Sequence, residues 1–159
     1  MPTQSSAFFY GQLIGSALQG GVLVNSAETC LLVPSSIGTL GSGQLAAVTL
    51  QYFFRGVVYF QANAGANWSV DLRYSTGTPL NAWLKVGQDA TFAVKAAQGS
   101  PAYYNNSVTV DGAAPAQIQW IGGAPTAGNA SGTDFYLYNV TKTADRTFNV
   151  FGSLTQFKT

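Results

Sequence analysis

The sequence predicts an all-β domain: a β-sandwich of about nine or ten short strands, with one short helix near residues 79–86. Short runs rich in Val, Phe, Tyr and Thr recur from residue 29 to the end of the chain. Clusters of Gly, Pro, Ser and Asn break them at a spacing of about 8–12 residues. Only TPLNAWLKVG places apolar residues at helical spacing. A jelly roll of about eight core strands is the arrangement such a series most readily fills. At 159 residues the chain is most simply one sandwich, residues 28–159, preceded by a distinct segment, residues 1–27.

That first segment holds no charged residue and four glycines. Its apolar cluster, Phe8, Phe9, Tyr10, Leu13 and Ile14, is open to two readings. AFFYGQLI is either a first strand of the sheet or an arm reaching a neighbouring subunit. TCLLV follows, with Cys30 expected as a small buried apolar group because no second cysteine exists to pair with it. AAVTLQYFF and VVYFQ are apolar on both faces, as strands inside a packed sandwich should be. WSVDLR alternates: Trp68, Val70 and Leu72 point one way, Ser69, Asp71 and Arg73 the other.

In TPLNAWLKVG, Thr78 is placed to cap a helix, Pro79 to occupy its first position and Gly87 to end it. Leu80, Trp83 and Leu84 fall on one stripe, and Lys85 lies near the negative end of the helix dipole. TFAVKA and YYNNSVTV continue the strands, and Asp111-Gly112 marks a turn.

The stretch from Gln117 to Phe157 then reads as a strand, a long turn region and a hairpin. Its arms run from Phe135 to Thr141 and from Thr147 to Leu154, with the turn near Ala144-Asp145. A loop centred there sets Phe135, Leu137, Phe148, Val150 and Leu154 on one face and Tyr136, Tyr138, Val140 and Phe151 on the other. Both faces then need cover. Tyr136, Tyr138 and Phe151 are expected as a contact face for protein, since tyrosine-rich and charge-poor surfaces characterise interfaces.

Composition argues in the same direction. Charged residues make up 8% of the chain, about a third of the usual share. Seven bases and six acids give a net charge of +1 with no basic run, so a phosphate backbone finds no footprint and nucleic acid is not expected. No stretch is long and apolar enough for a membrane span, and the N-terminus lacks a signal-peptide pattern; a cytoplasmically made chain is expected. Histidine is absent, which removes the usual general base and the commonest metal ligand.

The carboxylates Glu28, Asp71, Asp89, Asp111, Asp134 and Asp145 include no pair close in sequence. Asp111 and Asp134 lack the alternating ligand pattern of a calcium loop, and the paired glycines at 41/43 and 122/123 lack a following Gly-Lys-Ser/Thr. No catalytic residue, metal or cofactor is therefore expected. Trp68, Trp83 and Trp120 are read as core, with a stacking platform for sugars as the alternative. Tyr103 and Tyr104 beside Asn105 and Asn106 are the candidate for glycan contact, because aromatic faces and amides together match a sugar ring.

From about Glu28 onward the chain resembles a module of tailed-bacteriophage virion proteins, of the kind found in marine and cyanobacterial phages. The segments that carry the resemblance are VVYFQANAGANWSVDLRY, TPLNAWLKVGQDATFAV, GSPAYYNNSVTVDG, QWIGGAPTAGNASGTDFYLYNVTKT and TFNVFGSLTQF. It implies a virion structural role without enzymatic activity: capsid decoration or cement, knob, fibre or tail component. It further implies major capsid or tail proteins as partners, a homo-oligomer with trimers favoured, and location in the virion. Residues 1–27 have no counterpart in the module. A free-standing sandwich with an uncharged leading segment fits decoration better than a tail fibre. On that reading Phe8, Phe9, Tyr10 and Leu13 join the contact face in assembly. A carbohydrate-recognition module at a fibre tip is the alternative, with host glycan as ligand.

Overall fold

The computed structural model describes residues 18–19, 22–23, 30–41, 57–75 and 77–158. β1 (Leu18–Gln19) and β2 (Val22–Leu23) pair antiparallel in a ladder of their own. β3 (Cys30–Val33), β4 (Val57–Phe60), β6 (Asp89–Ala97), β8 (Gln117–Trp120), β9 (Thr133–Ala144) and β10 (Thr147–Phe157) make a six-stranded mixed sheet, in the order β3-β4-β6-β9-β10-β8. β5 (Trp68–Leu72) and β7 (Asn105–Val110) form a second, parallel sheet of two strands, and α1 (Leu80–Trp83) lies between β5 and β6 in sequence. The expected strand AFFYGQLI, the contact residues Phe8, Phe9, Tyr10 and Leu13, and the run AAVTLQYFF lie outside the described residues.

The β-rich reading with one short helix holds, but the expected jelly roll is corrected. Strands β3, β4 and β6 run parallel to one another, as do β8 with β10 and β5 with β7. The chain passes from β4 to β5, back to β6 and out again to β7, changing sheets at each step. Each strand thus returns beside its predecessor-but-one in the same direction, which gives parallel pairs where a jelly roll has antiparallel ones. Strand periodicity reports faces and is silent on such crossovers.

The two-stranded sheet covers one face of the larger one. Trp68, Val70, Leu72, Val108 and Val110 meet Val58, Phe60, Phe92, Val94, Tyr136, Tyr138, Val140 and Val150 in a continuous core. The alternation read from WSVDLR is present, with Trp68, Val70 and Leu72 buried. Trp68 meets Tyr136 edge-on, centroids 5.1 Å apart.

The β9–β10 hairpin differs from expectation by one residue. Thr147 pairs with Ala144, but Phe148 pairs with Lys142, so the bulge there takes in Thr143. Arg146 in the turn adopts φ 53. Val150 then faces Val140, and Gly152 faces Tyr138. A one-residue slip turns one strand over relative to its neighbour. The inner face therefore carries Tyr136, Tyr138, Val140, Phe148 and Val150, and the outer face Phe135, Leu137 and Phe151.

The helix is shorter than expected and capped from elsewhere. Pro79 occupies the N-cap and no neighbouring side chain caps it, so Thr78 does not. Asp111 does the work: its carboxylate accepts the N–H groups of Leu80 at 2.6 Å and Asn81 at 2.9 Å. Asp111 and Gly112, at φ 53 and 78, form the expected turn, and that turn aims the carboxylate at the helix. Leu80 and Leu84 are buried, but Trp83 is half-exposed and stacks on Tyr74, centroids 5.0 Å apart, instead of joining the core. The cation at the helix C-terminus is Lys142, not Lys85; its ammonium donates to the carbonyls of Asn81 at 2.7 Å and Leu84 at 2.9 Å. Cys30 is half-buried rather than enclosed.

Candidate functional site

The small sheet leaves the other face of the six-stranded sheet without a second layer among the described residues. Side chains alternate along each strand, so residues of odd number in β6, β9 and β10 point outward. The register aligns them in rows: Ala93, Leu137 and Ser153; Thr91, Asn139, Phe151 and Gln119; Lys95, Phe135 and Thr155. Val57 and Ala93, toward β4, are buried, but from β9 to β8 the face opens. Leu137 is 37% exposed, Phe151 43% and Ile121, just past β8, 83%.

These residues, with Thr91, Asn139 and Gln119, line a shallow groove of about 390 Å³ floored by Ser153 and the backbone of Gly152. Lys95, set over the Phe135 ring at 5.7 Å from its centroid, and exposed Asp89 are the only charged residues on this face among those described. Such a surface is poor in charged groups. It is suited to excluding water against another apolar surface.

The expected contact face is corrected accordingly. Tyr136 and Tyr138 are fully buried, and both phenols are pushed up in pKa, chiefly by that burial. The Tyr136 hydroxyl accepts the N–H of Asn105 at 3.3 Å. Of the three residues proposed from sequence on this hairpin, only Phe151 is exposed. The sequence reading missed Leu137 and Ile121 as surface residues. The slipped register put Leu137 inside, and no strand pattern extends to Ile121.

A second concavity, about 340 Å³, lies where the edges of β7 and β8 approach one another. Tyr104, Asn106, Ser107, Ile118, Trp120 and Pro125 line it, together with Asn105 and Val108. Of the expected glycan residues, Tyr104 and Asn106 reach this cleft with accessible side chains. Asn105 is buried and spends its amide on the carbonyls of Trp68 and Ser107, at 3.0 and 2.9 Å. Tyr103 is partly buried against the core, its backbone N–H held by the Gln98 side chain. Trp120 lies across Gly152 and meets Tyr138 edge-on at 5.8 Å.

Several ionisable groups are tied to the fold. Asp71 accepts from the Arg73 guanidinium, the Thr109 hydroxyl and the Gly112 N–H. The Arg73 pKa is raised chiefly by that hydrogen bond and by the Asp71 charge. Asp134 is buried; one oxygen accepts from Gln98 Nε2 at 3.0 Å and from the Asn129 N–H at 3.2 Å. Its other oxygen has no hydrogen-bond partner, and burial pushes its pKa up. Asp145 accepts from Asn81 at the turn beside α1. Among the described residues no three His, Cys, Asp or Glu side chains gather as metal ligands. None of the described helices is long and apolar enough to cross a membrane.

Comparison with family models, curated proteins and solved structures yields no match. The open face and the β7–β8 cleft therefore stand on their own geometry.

Proposed function

We propose that this chain is a non-enzymatic phage virion structural protein, most readily a capsid decoration, cement or knob-like protein that works by contact with other protein. The observation that carries this is the open face of the six-stranded sheet, apolar at Leu137, Phe151 and Ile121 and bearing, among the described residues, one residue of each charge. The segment-by-segment resemblance to phage virion modules supplies the setting. Major capsid or tail proteins are the partners, and the uncharged residues 1–27 are the segment expected to reach them. The direct test mixes purified protein with phage particles lacking it and separates bound from free by sedimentation. Saturable co-sedimentation is expected. A chain that stays in the supernatant at every concentration, with its fold intact by circular dichroism, rules the role out.

The β7–β8 cleft favours a second reading, a carbohydrate-recognition module of a tail fibre. Tyr104 and Trp120 offer aromatic surface, Asn106 and Ser107 offer hydrogen bonds, and no charged residue lines the cleft. A neutral saccharide fits that set. Glycan-array binding lost in Tyr104→Ala and Asn106→Ala variants favours this reading, whereas particle binding that needs no glycan favours decoration.

A further inference from the structure

We infer that the open sheet face pairs with the same face of a second copy of this chain, about a two-fold axis lying over the row Phe92, Tyr138, Gly152 and Trp120. This rests on the reading of that face as a protein contact and names its occupant. Those four residues are mutual neighbours in the ladder. The outward side chains on either side of the row, buried Ala93 apart, are those that line the groove.

Three features make the face complementary to itself under that operation. A two-fold axis in the plane of the interface, crossing the strands, lays each strand antiparallel over its own copy. Phe151, one residue before the row, then meets Ser153 of the second copy, one residue after it. A large side chain thus sits over a small one on both sides of the axis. Second, Asp89 and Lys95 both project outward from β6, three residues before and three after Phe92. Each Asp89 falls opposite the other copy's Lys95, giving two ion pairs about 20 Å apart at the strand rise of about 3.3 Å. Third, like charges never face one another in this arrangement, since these two are the only charged residues on the face among those described.

The open area fixes the expected strength. Four strands from β6 to β8 at about 4.8 Å spacing and about 25 Å length give about 500 Å² per copy. The total of about 1,000 Å² lies at the lower edge of specific interfaces, so a reversible dimer is expected, weakened by salt through its rim pairs.

Sedimentation equilibrium of the full chain tests this. The wild type should dimerise with a dissociation constant in the range of about 1–100 μM. Lys95→Glu and Asp89→Lys should each weaken it at least about tenfold by setting like charges opposite. The double variant should return to within about threefold of wild type, because the swapped pair is again complementary. Both substitutions are at solvent-accessible positions, and circular dichroism checks the folds of all three variants.

A chain that is monomeric up to about 1 mM overturns the inference, including the case in which residues 1–17 of the same chain cover the face. So does a double variant no better than either single one, or a trimer as the sole oligomer. Particle binding measured on the same samples separates this inference from the proposed role: a monomer that still binds particles defeats the dimer alone, and a dimer that never binds particles defeats the role alone.

Discussion

Lys142 shows what a single side chain contributes here. Its ammonium is almost wholly out of water, and two carbonyls at the end of α1 take the place of solvent. Lys142→Met keeps the length of the side chain and removes the donor, stranding both carbonyls. The expected loss is about 1–3 kcal/mol in urea denaturation. Asp134 gives the opposite kind of dependence. Burial raises its folded-state pKa above the unfolded value, so the folded chain holds the proton more tightly. Its favourable contribution is complete below the ordinary carboxylate pKa of about 4 and is lost as pH rises through the folded value. Wild type should therefore lose stability relative to Asp134→Asn as pH climbs from about 4, and denaturation midpoints of the two across pH should converge or cross. A difference independent of pH contradicts the buried, proton-retaining carboxyl. Neither residue was legible in the sequence. A lone Lys in YNVTKTA or Asp in SGTDF carries no local sign that the fold will enclose it.

At the scale of elements, the strands were legible and their registers were not. Phe92, Val94 and Ala96 on one face of β6 and Trp68, Val70 and Leu72 on one face of β5 follow directly from alternation. The hairpin was legible as a hairpin, but one bulged residue decided which side of β10 met the core. Tyrosine suits either a core or an interface, so composition did not correct the error at Tyr136 and Tyr138. Helix α1 was legible through its Pro and its leucines, whereas its cap comes from Asp111, 31 residues away from Leu80.

Two substitutions test these joints. Asp111→Ala removes both bonds to the first helical N–H groups and puts a less tolerant residue at positive φ. It should cost about 2 kcal/mol or more, and Asp111→Asn, which tolerates that φ, should cost less. Gly152→Ala would set a methyl 2.5 Å from the Trp120 ring, too close for the indole to stay where it is. The indole must leave the strand surface, with a shift in tryptophan emission and a loss of about 1–3 kcal/mol. Unchanged emission contradicts the packing of Trp120 on Gly152.

Among the described residues, the whole molecule is a core closed on one side. The change of sheet at each step from β4 to β7 places a two-stranded layer over one face of a six-stranded sheet, and the core between them is continuous from Val33 to Val150. A domain built this way holds its fold through the inner layer; the proposed role gives the outer face to a partner. The leading segment then has a clear test. If residues 1–14 serve attachment, deleting them should leave the inner core intact, with a thermal midpoint within a few degrees of the full chain, while particle binding is lost. If AFFYGQLI is instead a strand of the fold, the deletion removes several large apolar side chains from a packed interior. At about 2–5 kcal/mol for each large side chain lost, that would consume most of the stability of a domain this size. The two outcomes differ by tens of degrees in a melting curve, and a truncated chain that unfolds assigns the segment to the core.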